Sequence, residues 1–207
     1  MSKSFRQLDD VHVDVLSEVG NIGASHAATA LAKMLGKRIA VSVPSVRMVD
    51  FKDIADFVGG GETILIGILI NISGDIDGMM MFIVKTGTAH TLITMLMGGM
   101  SQTEIENEFS EMEQSAMQEI GNILCSSYLG ALAGLINIKI IPSVPYLAID
   151  MANAILSVPA IEFGKVADQA LFIESVFTAD GSDVSGFFLL VPDMPSFDRI
   201  LSTLGVT

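Results

Sequence analysis

The chain has 207 residues, 50% of them hydrophobic and 17% charged, with 24 acidic against 11 basic side chains and one cysteine. This excludes a disulfide-stapled miniprotein and a disordered, charge-rich chain. The formal charge of −13 also speaks against nucleic-acid phosphates or an anionic membrane as partners, since both need concentrated Lys and Arg.

Two readings of the acidity stay open: a basic protein surface as partner, or solubility alone. The opening MSKSFRQLDD is polar and carries no export pattern, so a cytoplasmic chain is expected. Apolar residues near every third and fourth place then predict a helix over Val11 to Leu35. Gly20 and Gly23 interrupt it at about 1 kcal/mol each relative to alanine, which close packing or a site would justify.

Arg38 to Val49 is rich in Val and Ile and holds Pro44, which suits a strand with an edge, bulge or break. From Glu62 two period-two apolar runs flank Gly74-Asp75 and read as a hairpin, followed by the short helical pattern AHTLITMLMG. Gly98 to Glu113 reads as a joint, and some of its five glutamates fall in the first turns of the next helix, whose amide dipoles favour negative charge.

Ile105, Phe109, Met112, Met117 and Ile120 suggest that helix, running to about Leu135. Its charge-free part, Ile120 to Ile138, is the nearest approach to a membrane span. With Asn122, Ser126, Ser127 and Asn137 inside it, no span is expected. Cys125 lies in the same stretch and reads as a buried, inert thiol. A proline-broken strand follows over Ile138 to Ile149, then an insertion around Asp150 to Glu162. A hairpin turning at Asp180-Gly181 and a short helix, FDRILSTLG, end the chain.

The sequence is thus written twice, at an offset of 101 residues. Glu18 answers to Glu119, Gly20 to Gly121, Asn21 to Asn122, Ile22 to Ile123, Val43 to Val144 and Pro44 to Pro145. The expected fold is one α+β domain over residues 1–207, with internal repeats at about 10–100 and 104–205. Pseudo-two-fold symmetry would join the hairpins into a central antiparallel sheet and leave both long motif helices with equivalent exposed faces.

Asp14, Glu18 and Asn21 stand at i, i+4 and i+7, a strip roughly 60° wide on one helix. Ser115, Glu119 and Asn122 repeat that spacing. Two explanations remain at this level: a duplicated scaffold in which a buried Asn braces helix against strand, or a surface site. An Asn amide can hold a water by one donor and one acceptor, and a Glu can pair with a partner's cation. This suits phosphoryl hydrolysis in which another molecule supplies metal and electrophile. His12, His26 and His90 have no ligand-like spacing with Cys125, VGGGE and GASH lack a following Lys-Ser/Thr, and no Ser or Cys has a recognisable base.

The repeated pattern of Asp or Ser, three residues, Glu, two residues, Asn, 22 residues and Pro resembles the signature of the CheC/CheX/FliY family of chemotaxis phosphatases. It reads Asp14, Glu18, Asn21, Pro44 and then Ser115, Glu119, Asn122, Pro145. Two intact copies without the switch domain of FliY are most like the CheC branch. The resemblance implies dephosphorylation of phosphorylated CheY, with Asn21 and Asn122 orienting the attacking water and Glu18 and Glu119 contacting the regulator's lysine.

It further implies docking support from Asp14 and Ser115, structural roles for Pro44 and Pro145, and no cofactor held by this chain, Mg²⁺ being supplied at the response regulator's active site. CheD is the expected second partner, near Asp150 to Glu162, and the free chain is expected to be a monomer. The rivals are a non-enzymatic adaptor for CheY or CheD and a flagellar-switch-related interaction protein.

Overall fold

In the computed structural model, residues 10–42, 45–97, 107–163, 169–179 and 182–204 are described. Helix α1 spans Asp10–Leu35 and is followed by β1 (Ile39–Val41), β2 (Ser45–Asp50), a 3₁₀ turn at Phe51–Asp53 and α2 (Ile54–Phe57). The hairpin β3 (Ile64–Gly74) and β4 (Gly78–Lys85) leads to α3 (Thr86–Leu96). The second repeat runs α4 (Glu111–Ile136), β5 (Ile140–Pro142), β6 (Tyr146–Met151), α5 (Ala152–Phe163), β7 (Gln169–Ala179), β8 (Ser182–Pro192) and α6 (Met194–Thr203).

All eight strands form one antiparallel sheet in the order β1-β7-β8-β4-β3-β5, with β2 also on β7 and β6 also on β3. The repeats meet at β4 and β8, paired from Gly78↔Pro192 to Ile83↔Phe187. Each then donates its outer strands to the other: β1 and β2 pair with β7, and β5 and β6 with β3. Ile39↔Ala179 and Ile140↔Gly74 are the matching ends of this exchange. The expected α+β architecture with pseudo-two-fold symmetry is what the chain adopts.

Strand alternation explains the layers, because successive side chains point to opposite faces. Ile66, Ile68, Ile70 and Ile72 of β3 face a core with α1 and α4, alongside Phe82 and Phe188. Leu65, Met79, Met81, Phe172 and Leu189 face a second core, closed by Ile54 and Val58 on one side and Ile155 and Leu156 of α5 on the other. Each such side chain, fully buried, contributes about 1.5–3 kcal/mol.

Several expectations change. Of the alternatives open at Pro145, the structure has the break: β5 and β6 flank Ser143, Val144 and Pro145, where the chain leaves the ladder. The Asp150–Glu162 insertion is the helix α5, with Pro159 inside it. Helix α4 starts at Glu111, not near Ile105: Ser110 caps it, accepting from the Glu113 N–H at 3.3 Å, while Glu113 Oε2 accepts from the Ser110 N–H at 2.8 Å. That reciprocal box satisfies two otherwise orphaned donors, and S-x-x-E at 110–113 was its sequence signal. Phe109 instead stacks on His90, ring centroids 4.2 Å apart. Pro44, the Asp180-Gly181 turn and much of the 98–113 joint lie outside the described residues.

The Gly74-Asp75 turn ties the repeats together. The Lys139 N–H donates to Asp75 Oδ2 at 2.8 Å, Arg199 Nη2 lies 3.2 Å from Oδ1, and Arg199 Nη1 donates to the Asp75 carbonyl at 2.8 Å. The backbone hydrogen bond, with help from Arg199, holds the carboxyl below its ordinary 3.8. A carboxylate depressed in the fold stabilises it above the unfolded value and loses that contribution as pH falls through the folded one. Asp75→Asn is therefore expected to lower the melting temperature at neutral pH. Thermal melts of both proteins across an acid series should converge as pH drops below 3.8; a constant difference would refute the role of the charge.

Candidate functional site

Helix α1 buries Leu16, Val19, Ala24, Ala27 and Leu31 against the sheet and α4. Helix α4 does the same with Met117, Ile120, Leu124 and Tyr128. The motif strips fall on the opposite faces: Asp14, Glu18, Ser115 and Glu119 are exposed, and Asn21 and Asn122 are half-buried. None of these six side chains hydrogen-bonds or ion-pairs within the described residues. Neither amide is therefore the bonded strut that the scaffold alternative required. Both are left with a free donor pair and a free acceptor at a helix surface.

The backbone beneath each strip is held firmly. Gln118, next to Glu119, donates its amide to the Pro145 carbonyl, which ties α4 to the entry of β6. In α1, one turn beyond Asn21, Ser25 Oγ donates to the Asn21 carbonyl at 2.9 Å. Ser25 was not singled out from sequence, although its i+4 spacing from Asn21, repeated by Ser126 after Asn122, was a readable signal.

Glycines bring the helices close. A Cβ on Gly23 would lie 2.5 Å from Tyr128 Cδ1 and 3.1 Å from Tyr128 Cα, and one on Gly121 would overlap Ile68 of β3. Tyr128 is in turn fixed by a 2.5 Å hydrogen bond with Ser175 Oγ. Burial pushes its hydroxyl up to about 12, with the Ser175 bond opposing the shift. Burial likewise pushes the Cys125 thiol far up, so no thiolate is available and Cys125 is not a nucleophile.

Among the described residues no three His, Cys, Asp or Glu side chains are grouped to hold a metal ion. Helix α4 is long and apolar enough to cross a membrane by length and composition, but half of its most apolar window is buried inside the fold. Helix α5 and β6 leave Tyr146, Val158 and Ile161 exposed.

The fold matches that of FliY from Thermotoga maritima, with a TM-score of 0.75 at 22% identity over 97% of both chains. It also matches a chain of the CheX-CheY-BeF₃-Mg²⁺ complex from Borrelia burgdorferi, with a TM-score of 0.53 at 13% identity over 86% of this chain and 98% of that one. In sequence the chain is 34% identical to the CheY-P phosphatase CheC of Bacillus subtilis over 98% of each. The CheC-like family model matches residues 11–48 and 112–149, the two segments that begin with the exposed strips. With both copies matched and full-length identity to a CheC, the chain belongs to the CheC-like family.

Proposed function

We propose that this chain is a phosphatase for the phosphoaspartate of phosphorylated CheY and that it works from two equivalent sites. The observation that carries the reading is the duplicated Glu/Asn pair, presented on solvent-facing helix with no side-chain partner among the described residues. The substrate follows from the full-length relative, a CheY-P phosphatase. A chain of the same fold also has a structure in complex with CheY, BeF₃ and Mg²⁺.

In this reading Asn21 or Asn122 enters the regulator's active site beside the acyl phosphate. Its amide receives one hydrogen bond from the attacking water and gives one to it, so the nucleophile is held in line with the P–O bond to aspartate. Water oxygen bonds to phosphorus, the P–O bond breaks, and the aspartate carboxylate, inorganic phosphate and a proton leave. Asn accepts no proton, so its contribution is positional. Glu18 and Glu119, one turn earlier, pair with the regulator's lysine and set the helix against it. Asp14 and Ser115 widen the same docking strip. Mg²⁺ belongs to the regulator's site and neutralises charge on the phosphoryl oxygens.

Pro145 serves structure through the Gln118 contact, and Pro44 is assigned the same part by repeat equivalence. CheD is the proposed second partner, on the exposed apolar flank of α5. Because the duplication puts two sites in one chain, the free protein is read as a cytoplasmic monomer, with α4 as a core helix rather than a span.

The test is direct. Phosphate loss from phosphorylated CheY with Mg²⁺ present is expected to accelerate when the intact protein is added. Binding without acceleration would replace this reading with the adaptor.

A further inference from the structure

The duplication supplies an internal control at the outer strands of the sheet. The pairs Arg47↔Phe172 and Ser45↔Glu174, between β2 and β7, answer to Ala148↔Gly67 and Tyr146↔Leu69, between β6 and β3. In the first half a cation closes the sheet face. Arg47 Nη2 lies 3.3 Å from Glu174 Oε2 and donates to Ser45 Oγ at 3.0 Å, while the guanidinium carbon stands 4.9 Å from the centre of the Phe57 ring on α2. A carboxylate, a hydroxyl and an aromatic face together hold one guanidinium.

The equivalent place in the other half is open. Ala148 stands for Arg47, Leu69 for Glu174 and Gly67 for Phe172, and a cavity of about 300 Å³ lies between β3, β6 and α5. Part of the lost volume is refilled. A Cβ on Gly67 would lie 2.8 Å from Ile155 Cγ2, so α5 sends Ile155 in where the Phe172 side chain begins. Ala148 itself lines the cavity, so the space that the Arg47 side chain fills in the first half stays empty.

The groups around that space match the missing side chain. Ile155, Val158 and Glu162 share one face of α5 at i, i+3 and i+7, and all three line the cavity. Its walls are mostly apolar, its polar lining is Asn71, Tyr146 and Glu162, and no basic residue contributes. A carboxylate, an aromatic ring and a neutral polar group are the kinds of group that cradle Arg47. Glu162 is exposed and has no ion-pair partner among the described residues. Imperfect packing of an inserted helix would explain an opening but not this set of groups. Nor does the sheet require the opening, since β2 and β7 close the same position with one arginine.

We infer that the cavity between β3, β6 and α5 binds a small molecule carrying a guanidinium on a short apolar stem, seated where the Arg47 side chain sits in the other half. The stem packs on Ala148 and Leu69, and the cation meets Glu162 and the Tyr146 ring. The cavity is at the small end of ligand pockets, which run from about 300 to about 1,000 Å³, and so suits a ligand of this size rather than a large cofactor. Binding here is independent of the phosphatase reading, because neither the site nor its assay involves Asn21 or Asn122.

The probe is n-propylguanidinium, the arginine side chain from Cβ outward, titrated into the isotope-labelled full chain and followed by backbone amide shifts. A Kd of about 1 mM is expected, with shifts confined to β3, β6 and α5. Neutral n-propylurea keeps the planar head without the charge and should bind at least about tenfold more weakly. Glu162→Gln, a change on an exposed helix face, should weaken n-propylguanidinium about tenfold as well. Ala148→Arg supplies the cation from the chain itself and should abolish binding without lowering the melting temperature. Absence of shifts up to about 20 mM probe, roughly twenty times the expected Kd, would overturn the inference. Equal affinity for the urea, or unchanged binding by Glu162→Gln, would do the same. N-acetyl-arginine-N-methylamide presents the group as a protein would and is expected to bind no more tightly than the free probe. Binding about tenfold tighter would give the cavity to a partner protein's arginine and refute a small-molecule site.

Discussion

Replacing both Asn21 and Asn122 with alanine is expected to remove at least about 100-fold of the acceleration of phosphate release from phosphorylated CheY, while binding persists. Both amides are half-buried at a helix surface and bond to nothing within the described residues, so truncation breaks no described contact. The circular dichroism and melting of the double variant should match those of the parent. What disappears is the pair of groups that holds water in line, and positioning is most of what a protein can contribute to phosphoryl transfer. Each single variant should keep the turnover of the remaining site. Glu18→Gln and Glu119→Gln together should instead raise KM, because the lost interaction is an ion pair with the partner rather than a contact to the reacting water. Full acceleration by the double alanine variant would eliminate the water-orienting role.

Gly23→Val is expected to destabilise the fold by about 2–3 kcal/mol, the usual cost of forcing extra methyl groups into a packed contact. The first added carbon would already lie 2.9 Å from Tyr128 Cγ and 3.1 Å from its Cα. The ring cannot turn away freely, since its hydroxyl is bonded to Ser175 and it packs 4.3 Å from the Phe188 ring. The motif helices would have to separate, and both sites would shift together. Gly130→Ala makes the contrast: a Cβ there meets nothing within 4 Å, so helix propensity alone applies and a gain of about 1 kcal/mol is expected. Chemical denaturation of the two variants checks both signs. A Gly23→Val protein as stable as the parent would show that α1 and α4 are not in contact at this point.

How much of this was legible beforehand differs from element to element. The span of α1 and the two hairpins follow from apolar periods of 3.6 and 2, because one face of each element is dry and the other wet. The start of α4 was misplaced by several residues because Phe109 fits a helical period while packing on His90 just before the cap. The helix α5 was missed because an apolar segment holding Pro159 shows no clear period.

The sequence by itself determined the duplication, the pairing of Glu with Asn at three-residue spacing, and the family to which these point, since each is a matter of residue identity at fixed separation along one chain. Tertiary structure decided what separation cannot encode. Each repeat hands its outer strands to the other's hairpin, which covers the outer edges of β3 and β7. Structure also decided that the side-chain amides of Asn21 and Asn122 make no hydrogen bond among the described residues. A hydrogen bond depends on which distant group a helix face meets, and both faces meet solvent.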